Sequence, residues 1–165
     1  MTKQKTLDDL FLDTLKDIYF AERQILKALP KMARAASSED LAEAFRNHKE
    51  ETEGQVERLQ QVFEILGKPA RGKTCEAIQG IIAEGEEIIE EFKGAPALDA
   101  GLISSAQAVE HYEMARYGTL LAWARQLGKK DVVKLLEETF EQESKADLEL
   151  SKLAEKSVNA SAEAV

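Results

Sequence analysis

Seven residues carry the chemistry open to this chain. Glu22, Glu51, Glu110, Glu113, Glu143 and Asp147 are carboxylates set inside apolar stripes of helical period, and His48 stands three residues before Glu51. Carboxylates aimed into a helical core are costly unless something cationic meets them. Several at one level would also repel one another. Two divalent cations relieve that best, and an oxygen-rich set with one imidazole suits iron first and manganese second. Carboxylates shared between two metals can hold them close together, so that a small oxidant is bound and reduced between them.

Four long helices must position these residues. Thr6 can cap the first, with Asp8 and Asp9 in its opening turn, and the stripe Leu7, Phe11, Ile18, Glu22, Ile25, Leu29 follows. Pro30 predicts a kink or weak point near its end. Ser38 can cap the second helix, and Gly67 ends it. The expected bundle helices are 6–35, 39–66, 99–127 and 130–156, within one domain spanning 1–165. Residues 67–98 form a crossover, and Ile78, Ile81, Ile82, Ile88, Ile89 and Phe92 give it a helix of its own. The Ala/Ser-rich tail after Ser157 is expected to fray. Two hairpins joined by one long crossover make an all-α four-helix bundle of ferritin-like connectivity.

Residues at one height in an antiparallel hairpin are equidistant from its turn. Residues 22 and 51 are equidistant from the Ala36–Ser37 step, 113 and 143 from Gly128, and 110 and 147 from the Gly128–Lys129 step. Both hairpins thus bring their inward acids to one level, roughly 20 Å from the turn. By position, Glu51 and Glu143 are the expected bridging ligands. Tyr117, on the inner stripe, is the better supporting partner; Tyr112 and His111 are weaker ones. Glu50, Glu53 and the Glu84–Glu91 acid run read as solvated. Trp123 lies just off the inner stripe, where packing or a dimer face would use it.

A net charge of −9 argues against non-specific nucleic-acid binding and against an anionic membrane surface. No apolar run has the length of a transmembrane helix. The N-terminus lacks a signal-like apolar stretch, and the single Cys75 can form no internal disulfide, so the cytoplasm is the expected location. Cys75 reads as a small apolar residue. A phosphate loop, a Cys-x-x-Cys pair and a positioned serine nucleophile are all absent from the sequence. The expected activity is oxidation of Fe(II) by peroxide or dioxygen; the rival is a helical interaction protein whose metal is structural or vestigial.

The segments Ala21-Glu22-Arg23, His48-Lys-Glu-Glu51-Thr52, Glu110-His-Tyr-Glu113 with Tyr117-Gly118-Thr119, and Glu143 through Asp147 resemble the YciF-like family of the ferritin-like superfamily. The resemblance spans about Leu7 to Ala154. It implies a rubrerythrin-like dinuclear site, a homodimer and a link to bacterial stress responses. The wider superfamily often uses Glu-x-x-His on two helices. Here the order is reversed at His48-x-x-Glu51, and Asp147 stands where a histidine would fall one residue earlier. No rubredoxin-type cysteine cluster is present to deliver electrons.

Overall fold

The computed structural model describes residues 2–163. Helix α1 (Leu7–Ala35) starts at Thr6, whose hydroxyl accepts from the Asp9 N–H while the Asp9 carboxylate returns to the Thr6 N–H. This reciprocal cap satisfies donors that a helix start leaves free. Pro30 lies inside α1 without ending it. Helix α2 (Glu39–Ile65) is capped by Ser38, and Gly67 turns the chain away at φ 64°. Helix α3 (Glu76–Glu91) is the crossover helix; the Cys75 thiol accepts from the Ile78 N–H at its start. Helices α4 (Leu98–Gln126) and α5 (Lys130–Leu153) form the second hairpin, and Gly128, at φ 69°, takes the left-handed turn between them.

The tail differs from expectation. After α5 the chain passes through a π turn (Ala154–Val158) into α6 (Asn159–Glu163). Val158 is buried in the main core, which holds this end against the bundle.

Each hairpin packs on itself, α2 packs on α5, and α1 packs on α4. The four long helices therefore ring one core, and α3 lies across α4 and α1. Gly101 permits that close approach: a Cβ there would come 2.6 Å from Ile88 Cγ2. Phe11, Leu15, Ile18, Phe45, Leu59, Phe63, Leu102 and Leu120 fill the interior. On α5, Thr139 is buried and Phe140 only partly so.

Asp99, in the first turn of α4, reaches across to the α1–α2 turn. Its two carboxylate oxygens accept the Ser37 N–H at 2.8 Å and the Ser38 N–H at 2.7 Å. This buried clasp ties the two hairpins together at one end of the bundle. No helix among the described residues is long and apolar enough to cross a membrane.

Candidate metal centre

The inward acids meet near the middle of the ring. His48 from α2, Glu110 and Glu113 from α4, and Glu143 from α5 each offer one ligand atom, all within 4.8 Å of one another. Glu22 of α1 stands beside them, next to Glu113. Glu22, Glu113 and Glu143 are wholly buried, and Glu110 and His48 nearly so.

Among the described residues, His48 is the cluster's one cationic partner. Its Nε2 lies 2.9 Å from Glu110 Oε1 and 3.9 Å from Glu143 Oε2, while Nδ1 lies 3.8 Å from Glu51 Oε2. The 2.9 Å approach is an ion-pair contact whose angle misses a hydrogen bond, so both ring nitrogens count as unpartnered. Burial disfavours the charged ring, but Glu110, Glu51 and Glu143 outweigh it and hold His48 well above its ordinary pKa.

The acids' pKa values are raised as well, which for them favours the neutral form. Burial raises Glu22 to about 7, opposed in part by the neighbouring Glu113 carboxyl and by the hydrogen bond from Tyr117. Burial, then repulsion from Glu143 and Glu22, lifts Glu113 well above the usual carboxylate range. Glu143 rises through burial and its contact with Glu110. Tyr117 is fully buried; its hydroxyl donates to Glu22 Oε1 at 2.8 Å, and burial beside Glu22 and Glu113 holds it protonated.

Protein partners do not satisfy this cluster. Among the described residues, the buried side-chain polar atoms without a hydrogen bond include Glu22 Oε2, Glu110 Oε2, both oxygens of Glu113 and Glu143, and both His48 nitrogens. Native interiors leave few such atoms. Concentrated here, on hard oxygens and one imidazole, they fit divalent cations better than a second shell of protein donors.

Two of the seven expected residues stand further out. Glu51 sits at the edge, its side chain 38% exposed. Three helical residues fall about 60° short of a full turn, so His48 points to the centre and Glu51 to one side. Asp147 lies off the inner face, its Oδ2 3.2 Å from the exposed His111 Nε2 and its Oδ1 buried without a partner. Tyr112 faces away from the cluster: it donates to Asp17 and lies 3.0 Å from the Cys75 Sγ. Glu50, Glu53 and the acids of α3 are exposed, as expected. Asp99 escaped the sequence reading, because an acid in a first helical turn signals only a dipole partner.

Residues 6–163 match the family model described as a domain of unknown function, DUF892. Protein YciF of Escherichia coli (strain K12) is 47% identical over 160 residues, covering 96% of each chain. The crystal structure of the E. coli stress protein YciF superposes with a TM-score of 0.90 at 46% identity, over 94% of this chain and 99% of that one. YcfI from Rhodopseudomonas palustris, for which a structural role has been suggested, gives 0.87 at 47% identity over 92% and 97%. A Xanthomonas campestris protein at 22% identity and a TM-score of 0.74, over 94% of each chain, shares the fold.

Proposed function

The chain belongs to the DUF892 family, and from that premise and the buried cluster we propose that it binds two divalent metal ions, iron first and manganese second. The carrying observation is the set Glu22, Glu110, Glu113 and Glu143, buried around His48 with most of their oxygens unpartnered. Four carboxylate charges balance two divalent cations, whereas one imidazolium leaves them far short. These five side chains would hold the ions, with Glu51 and Asp147 as outer ligands. Glu143, within reach of Glu110, Glu113 and His48, is the better bridging candidate.

A bound iron pair would supply two-electron redox chemistry to a small oxidant such as peroxide or dioxygen, with Fe(II) as the alternative substrate. The chain's own residues do the rest. Tyr117 orients Glu22 by hydrogen bonding, the apolar ring excludes bulk water, and protonated acids give way to metal as the site fills. The same proposal places the protein in the cytoplasm, as a homodimer, within the stress response suggested by its likeness to YciF. Metal analysis of protein from iron-supplemented cells tests it. Close to two equivalents supports the reading. Less than about half an equivalent of any transition metal, with Glu113→Ala unchanged in stability, refutes it; sedimentation reads the dimer.

The structural role suggested for YcfI favours a second reading, a helical interaction protein whose metal is structural. Metal-loaded protein that turns over neither peroxide nor dioxygen, yet retains a specific protein partner, supports that alternative.

A further inference from the structure

A cavity of about 70 Å³ lies under the crossover helix. The four long helices and α3 all contribute to its lining, at the level between the acid cluster and the α1–α2 turn. Its walls are apolar, with Ile25 and Met32 from α1, Ile81 and Ile82 from α3, and Ala106 and Val109 from α4. Its polar lining includes His48, Glu51 and Glu110 of the cluster, with Asn47, Ser105 and Glu149 beside them, whereas Glu22, Glu113 and Tyr117 do not line it. The cavity therefore opens on one face of the cluster, and the Tyr117–Glu22 side is closed. The exposed ion pair of Lys31 and Glu86, at 3.3 Å, joins α1 to α3 at its edge.

We propose that this cavity binds small apolar molecules of the dioxygen class and leads them to the His48–Glu110 face. One water-sized molecule needs roughly 10–15 Å³ of such space, so the cavity admits small solutes and no bulky substrate. A peroxide molecule would shed its hydrogen bonds along the isoleucine and valine walls, which dioxygen does not have to do. The crossover helix thereby has a task beyond connection: Ile81 and Ile82 roof the passage, and Gly101 lets α3 pack closely on α4.

The catalytic meaning of the passage rests on the metal reading above, but its occupancy does not. Methyl NMR of the full chain, metal-free, under dissolved dioxygen reads the cavity directly. Ile25, Ile82 and Val109 methyls are expected to show paramagnetic effects several-fold larger than those of Ile18 and Leu120, which are fully buried elsewhere. Ala106→Leu fills the space and should bring the cavity methyls down to the Ile18 level; Ala28→Leu, on a partly exposed wall, serves if the first variant does not fold. Equal effects on both sets of methyls, or an excess that survives in a folded filled variant, overturn the proposal. Metal content is measured separately, so failure of either reading leaves the other standing.

Discussion

The Tyr117 hydroxyl on α4 reaches Glu22 Oε1 on α1 across 2.8 Å, with both side chains wholly buried. It is a neutral donor to an acid that burial holds half-protonated near neutral pH, so it fixes the carboxylate without neutralising it. Tyr117→Phe should remove that orientation and leave one more buried oxygen unpartnered. Loss of such a partner costs about 1–3 kcal/mol. Calorimetry should show that loss in the metal-free chain, and titration should show metal affinity weakened by about 10–100-fold.

The metal-free protein should lose stability as pH rises. Glu22, Glu113 and Glu143 have raised folded pKa values, so their stabilising protonation is complete below the unfolded carboxylate range and fades as pH climbs through about 7 and beyond. His48 is also raised; its contribution is complete below its unfolded value and is lost as pH passes the higher folded one. Both trends run the same way. Melting temperature should therefore fall between about pH 5 and pH 9 without metal. With metal present the trend should reverse, because ligands bind deprotonated.

Glu113→Gln separates metal binding from structural packing by sign. In the metal-free chain it removes an acid that Glu143 and Glu22 repel, so the melting temperature at about pH 8 should rise, by ~2–4 °C for each kcal/mol relieved. In the presence of metal the same substitution should lower both stoichiometry and melting temperature. Glu51→Gln, at the edge, should lower affinity less than Glu113→Gln does in a parallel titration.

Asp99→Ala tests the clasp at the end of the bundle. Losing two hydrogen bonds to a buried carboxylate should cost about 1.5–3 kcal/mol for each bond to a charged group. Chemical denaturation checks the loss, and metal stoichiometry should stay unchanged, since Asp99 lies outside the cluster.

The helices and their hairpin order were legible because stripes, caps and stop glycines agree. Thr6, Ser38, Gly67 and Gly128 do what their types imply. Turn symmetry brought Glu22, Glu110, Glu113 and Glu143 to one level in the sequence, and the structure places them together. It could not set how far Glu51, at the edge of the stripe that holds His48, turns from the cluster, because residues three apart share a face and differ by a rotation that only packing resolves. Nor could it see Asp147 leaning to His111, or Asp99 binding a turn more than sixty residues away. Such contacts depend on side-chain reach between helices, which a one-helix pattern does not encode. The Val158 anchor was hidden behind a tail composition that looks loose.

An anomalous-difference map of crystals grown from iron-supplemented protein tests the metal centre most directly. Two peaks at the iron edge, both among Glu22, His48, Glu110, Glu113 and Glu143, are expected. No peak there, or metal bound only at the outer Asp147–His111 pair, would contradict a dinuclear centre in the core of the bundle.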